Sequence, residues 1–151
     1  MKYLLDTGIL LRLVHPADPQ HQGIVNALAA LKSQGHSFHS AMQNIAEFWN
    51  TSTRPATARG GFSLSPQETR QRLEVIERAV EVLTDTRASY DEWKQLVTRH
   101  AVSGVQVHDA RLVALMNIFG ILHLVTLNPS DFKRYTHLTV LTPSQVLQSA
   151  S

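Results

Sequence analysis

MKYLLDTGILLR, residues Met1 to Arg12, is the stretch whose reading decides the fold. Tyr3, Leu4 and Leu5 form an apolar run too short for a helix and closed by a turn signal, the pattern of a buried strand in a parallel sheet. Asp6 stands where that strand stops. In an open parallel sheet, ligands bind in the crevice outside the carboxyl ends of the strands, so an acid at this point faces a site. Thr7 and Gly8 turn the chain, and Ile9 to Val14 is apolar again. A plainer role is also open to Asp6, that of an N-cap for the segment that follows. Whether other acids converge on it decides between the two.

Working outward, Asp18-Pro19 reads as an N-cap with proline at the first helical position. The helix runs to Gly35 and carries Ile24, Leu28 and Leu31 at helical spacing. His36 to Ser40 predicts a second strand. In Ala41 to Asn50 (AMQNIAEFWN), Met42, Ile45, Ala46 and Trp49 make one apolar stripe, with Asn44, Glu47 and Asn50 on another face. This places Trp49 in the core and Glu47 on the polar side of a core helix. Thr51 to Gly61, rich in turn residues, is a loop. Ser65-Pro66-Gln67-Glu68 is a capping box that opens a helix with Leu73, Ile76 and Val80 on its apolar face. Val82-Leu83 is a short strand, and Ser89 to Glu92 is a second capping box before Trp93, Leu96 and Val97.

The next acid lies between Val102 and Gly120 (VSGVQVHDARLVALMNIFG), where a helix begins near Gln106 and ends at Gly120. Its second half is apolar nearly all round, the signature of a buried helix. Asp109 in its first turn suits the helix dipole, whatever else it does; His108 beside it reads as structural. Leu122 to Val125 is a strand that ends at TLNPSDF, where Asn128 before Pro129 is a natural N-cap and Asp131 follows. Leu138 to Leu141 is a last strand. Thr142 to Gln145 is a third capping box, starting a terminal helix.

At 151 residues and 43% hydrophobic, the chain suits a single domain over residues 1–151. The formal charge is only +2, yet basic residues cluster (Arg54 with Arg59, Arg70 with Arg72, Lys133 with Arg134), a surface that tolerates a polyanion. The absence of cysteine rules out disulfides and thiolate metal sites and fits a reducing cytosol. Asn117, Gly120 and His123 interrupt the longest apolar run, and no cleavable signal pattern opens the chain. These features predict a soluble cytoplasmic protein with no membrane partner.

Strands alternating with helices argue for a three-layer α/β fold with a mainly parallel central sheet. Asp6, Glu47, Asp109 and Asp131, with Asn128, then make up a set of hard oxygen donors, without a Gly-rich phosphate loop or a Ser-His pair. Such donors suit Mg²⁺ or Mn²⁺. Gathered carboxylates repel unless a cation or protons neutralise them. Zinc through histidine is the competing metal, but His36 and His39, three apart on a strand, point to opposite faces.

The order YLLDTGILLR, NIAEFWN, VHDARLVALM and VTLNPSDF resembles the PIN-domain ribonucleases, in particular the small VapC-type toxins of toxin–antitoxin pairs, over nearly the whole chain. The resemblance implies a PIN-like fold and a divalent-metal site from Asp6, Glu47 and Asp109, with further ligation from Asn128 or Asp131. It implies an Mg²⁺- or Mn²⁺-dependent endoribonuclease with RNA as substrate, a cognate antitoxin protein as partner, and a homodimer. By the same resemblance the products carry a 5′-phosphate and a 3′-hydroxyl. Two departures bear on the second metal: Gly8 stands where the family usually has Asn or Ser, and Asn128 stands where an acid is common. They leave open a catalytically silent PIN-like module that binds RNA or protein. A response-regulator-like receiver also places an acid at a strand end, but it needs a lysine after a late strand, and none is evident here.

Overall fold

The computed structural model describes residues 1–151. Five strands, β1 (Lys2–Leu5), β2 (Ser37–Ala41), β3 (Glu81–Leu83), β4 (His123–Val125) and β5 (Thr139–Leu141), make one sheet in the order β3-β2-β1-β4-β5. Every neighbouring pair is parallel. Seven helices flank it: α1 (Thr7–Leu13), α2 (His21–Ser33), α3 (Met42–Thr53), α4 (Pro66–Ala79), α5 (Arg87–Arg99), α6 (Gln106–Phe119) and α7 (Pro143–Ala150). This is the three-layer α/β architecture that the alternation of segments predicts.

Alternation along β1 builds the two cores. Tyr3 and Leu5 point to the face covered by α1, α2, α3, α4 and α7, where they join Ile9, Leu10, Phe48, Ile76 and Val146. Leu4 points to the other face, joining Leu96 of α5 and the run Leu112 to Met116 of α6. All five residues of that run are buried, as a helix apolar on every side requires. Gly120 ends α6 in the left-handed conformation, φ 67°, which glycine adopts without a Cβ clash.

From β1 the chain moves outward through β2 to β3, then returns to the other side of β1 for β4 and β5. The switch point therefore lies between β1 and β4, whose carboxyl ends carry Asp6 and Thr126. Such a crevice is where open α/β sheets bind ligands.

Several local expectations need correction. Helix α2 starts at His21, because the Asp18 carboxylate accepts the Gln20 N–H at 2.8 Å and pairs with Arg12, so Asp18-Pro19 forms a turn ahead of the helix. The cap of α5 is Thr86, which accepts the Ser89 N–H while the Ser89 hydroxyl accepts the Thr86 N–H. Ser89 is thus the reciprocal partner in the box, three residues into the motif. Helix α3 continues through Thr53, which shortens the loop. Its buried face is Asn44, Ile45, Phe48 and Ser52, while Met42 and Ala46 are exposed and Trp49 lies in a surface crevice with Leu73 and Arg70. The capping boxes at Ser65 and Thr142 form as their sequences predict.

Candidate metal centre

Asp6 caps α1 and stands at the switch-point crevice between β1 and β4. Its backbone N–H donates to the Val125 carbonyl at 3.1 Å, which prolongs the β1–β4 pairing by one step and fixes the residue at the sheet edge. One carboxylate oxygen, Oδ1, accepts the Thr7 N–H at 2.9 Å and the Asn44 amide at 3.4 Å. The other, Oδ2, accepts the Thr126 hydroxyl at 2.7 Å. Thr126 is fully buried at the end of β4, and its oxygen in turn accepts the Asn128 N–H at 3.1 Å.

A second chain of bonds runs from Asp6 to Glu47. Asn44 is 1% exposed; its Oδ1 accepts the Ala41 N–H at 3.0 Å, and its amide donates to the Thr7 hydroxyl at 3.1 Å. With that oxygen already accepting, the Thr7 hydroxyl donates to Glu47 Oε2 at 2.6 Å, a short bond of the kind a charged acceptor makes. Asn44 and Thr7 are the site residues that pattern reasoning misses. The signal for Asn44 was its place three residues before Glu47, one helical turn away on the same side.

Asp109 comes from the first turn of α6, and Asp131 from the single 3-10 turn Pro129–Phe132 after β4. The α6 N-terminus is tied to α3 by Gln43, whose amide donates to the His108 carbonyl at 3.0 Å. Burial, then the charges of Asp131, Asp6 and Glu47, push the Asp109 carboxyl up to about 6, with His108 pulling weakly the other way. Burial also raises Asp6, against the Thr126 and Thr7 bonds, and Glu47 and Asp131 add to the rise. Glu47 and Asp131 thus act electrostatically on both Asp6 and Asp109, and neither Asp6 nor Asp109 is ion-paired to a lysine or arginine.

Asn128 stands at the cap position of the 3-10 turn, but its side chain makes no capping bond and is exposed. The helix-cap explanation for its amide therefore fails. As the side chains stand, no group of three or more histidine, aspartate or glutamate residues is set to hold an ion. Like charges stand off from one another, and Glu47 is drawn toward Thr7. The donor set still suits a hard cation, because its members are oxygen atoms whose mutual repulsion only a cation or protons relieve.

Solved structures similar to this chain come from toxin–antitoxin systems. VapBC2 from Rickettsia felis, bound to a DNA fragment from its promoter, matches at 14% identity and TM-score 0.68, covering 94% of this chain and 98% of that one. VapBC-1 from nontypeable Haemophilus influenzae matches at 17% identity and TM-score 0.66, covering 95% and 99%. The chain has the fold of the VapC-type PIN-domain toxins. Mycobacterium tuberculosis VapC20, a toxin that cleaves the sarcin-ricin loop, shares this PIN fold at 16% identity and TM-score 0.55, covering 81% and 86%. No protein-family model matches the sequence, and no curated protein matches it. Within the PIN fold, the switch-point crevice holds the acids that the sequence resemblance singles out.

Proposed function

We propose that this chain is a divalent-metal-dependent endoribonuclease that acts as the toxin of a toxin–antitoxin pair. The observation that carries the reading is the gathering of Asp6, Glu47, Asp109 and Asp131 near the switch point, with Asp109 raised first by burial and then by these acidic neighbours. When bound, Mg²⁺ or Mn²⁺ supplies a water of lowered pKa and neutralises charge on phosphate oxygens.

Asp6 and Asp109 are the direct ligands. Thr126, Asn44 and the Thr7 N–H hold the Asp6 carboxylate in one orientation. Glu47 keeps Oε2 on the Thr7 hydroxyl, leaving Oε1 to ligate or to orient a water. Asn128 offers a neutral carbonyl and Asp131 an exposed carboxylate, the weaker pair of donors. Lys133 and Arg134 follow Asp131 in sequence, and Arg134 reaches Gln106 at the head of α6. From there they would hold RNA phosphates, contacts that position substrate without reading sequence.

Similar structures support the wider assignment. VapBC and FitAB assemblies argue for a cognate antitoxin, and the toxin that cuts the sarcin-ricin loop argues for RNA. No helix is long and apolar enough to cross a membrane; a place in the cytoplasm belongs to the proposed reading. A homodimer belongs to the same reading.

The test is cleavage of total RNA with Mg²⁺, Mn²⁺ or a chelator, beside Asp6→Ala. Metal-dependent fragments absent from the variant are expected; identical products from both proteins would end the nuclease reading. One observation favours a silent RNA- or protein-binding module instead, namely that no three acidic side chains are set around one point. Such a module would bind no cation in a calorimetric titration.

A further inference from the structure

A cavity of about 330 Å³ opens beside α6, lined by Asp85, Ser89, Tyr90, Trp93 and Arg111. It lies outside the carboxylate cluster but is joined to it. The Trp93 indole N–H donates to the Val107 carbonyl at 2.9 Å, two residues before Asp109, and Arg111 lies two residues after. Asp85 follows β3, which lies two strands from β1, or about 10 Å at ordinary strand spacing. The cavity therefore flanks the crevice at the same edge of the sheet.

Its chemistry is that of a ring-binding site. Tyr90 and Trp93 stand with ring centroids 6.4 Å apart and planes 27° from parallel. Tyr90 is 47% exposed, a large ring left in water by a helix whose buried residues are Ser89 and Leu96. The Lys94 ammonium sits 5.1 Å from the Tyr90 ring centre and has no carboxylate partner, whereas Arg87 on the same ring pairs with Asp91. Arg111 and Asp85 pair at the cavity wall and present donors and an acceptor side by side. Past Lys94, a second depression along α5 is lined by Lys94, Gln95, Thr98 and Arg99, with no acidic or apolar residue.

We propose that the cavity is a subsite for an unpaired nucleobase of single-stranded RNA, stacked on Tyr90 and Trp93. The Asp85–Arg111 pair meets the base edge, and Lys94 and Arg99 take the adjoining backbone. The proposal rests on the nuclease reading for its place beside the scissile bond, but its chemistry does not depend on cleavage. Aromatic rings bind every base by its π-face, and cations along the same groove track phosphates. A protein partner would not need unpaired cations beside the rings.

The test is tryptophan fluorescence in a Trp49→Phe, Asp109→Asn protein, in which Trp93 is the one remaining indole of the two and RNA is not cut. The probes are a short single-stranded RNA of mixed sequence and a ribose-phosphate strand of equal length without bases. Expected are quenching by the RNA alone, an affinity about 10- to 100-fold weaker with Tyr90→Ala, and recovery with Tyr90→Phe. Equal binding of the baseless strand, or unchanged RNA affinity in Tyr90→Ala, would overturn the proposal. So would a Tyr90→Ala protein whose mass by light scattering falls while its RNA affinity holds, since the rings would then belong to an interface between copies. Cleavage by the unmodified protein is scored separately: quenching without any cleavage keeps the subsite and removes the nuclease.

Discussion

Replacing Asp109 with Asn should stabilise the metal-free protein and abolish its response to divalent cations. The carboxyl is raised from 3.8 to about 6, first by burial and then by Asp131, Asp6 and Glu47. A shift of about two units corresponds to about 3 kcal/mol of disfavoured ionisation at 1.36 kcal/mol per unit. Asp109 is only partly buried, so solvent screening reduces this to about 1–2 kcal/mol. Against it stands the favourable interaction of an acid with the first turn of α6, about 0.3–1 kcal/mol. The net is about 0–1.7 kcal/mol in favour of the variant, or up to roughly 7 °C in Tm for a domain of this size. The sign with pH follows from linkage. A carboxyl that binds its proton more tightly in the folded state favours folding below its unfolded pKa, and that contribution is lost as pH rises through about 6. In chelator, the variant's advantage should therefore grow between about pH 4 and pH 6 and stay level above. Adding Mg²⁺ or Mn²⁺ should raise the Tm of the unmodified protein and leave the variant where it was. A variant less stable than its parent at neutral pH in chelator, or one with an equal cation-dependent gain, would refute this reasoning.

Other substitutions separate ligands from their supports. Glu47→Gln should cut turnover by about 10²- to 10⁴-fold with little change in melting, since Glu47 is exposed; near-normal turnover would return it to a solvated face. Thr126→Val keeps shape but removes the donor to Asp6 and the acceptor of the Asn128 N–H, so urea unfolding should show a loss of about 1.5–3 kcal/mol. Asn128→Ala should lose less than about 0.5 kcal/mol because its side chain caps nothing. Asn128→Asp should strengthen metal binding, Asp131→Ala should raise the metal concentration needed for activity, and two tight sites in the unmodified, substrate-free protein would contradict both.

Much of this was legible in the sequence because it depends on local rules. Short apolar runs closed by turn residues gave β1 and β4, the short stretch between two helices gave β2, and the all-round apolar run of α6 identified a buried helix. The cap and the crevice position of Asp6 were legible because a strand end fixes a side chain's address in a parallel sheet. Helix α3 was misread because a hydrophobic stripe assumes that polar residues face water. Asn44 is buried, and it is accommodated there by bonds to Ala41, Asp6 and Thr7. Counting it as surface rotated the face, putting Met42 and Trp49 inward in place of Phe48. The cap at Thr86 was missed for a related reason: Ser89 fits the capping pattern as well, and only the fold shows which residue ends the extended segment.

The two bond chains that meet at Asp6 explain how the cluster persists at all. Burial and neighbouring acids push the Asp6 carboxyl up, while Thr126 and the Thr7 N–H oppose them and burial prevails. The donors therefore orient the carboxylate without neutralising it. A phosphate brought to this crevice alone would meet four acidic side chains and be repelled. On the proposed nuclease reading, a cation would have to be bound first to reverse the local sign, which would put metal ahead of RNA. On that reading stability and function are tied, since the burial and repulsion that disfavour these charges are what a bound cation would offset. Removing the partly buried charge at Asp109 should accordingly stabilise the protein as it silences it, whereas removing that of the exposed Glu47 should silence it with little change in stability.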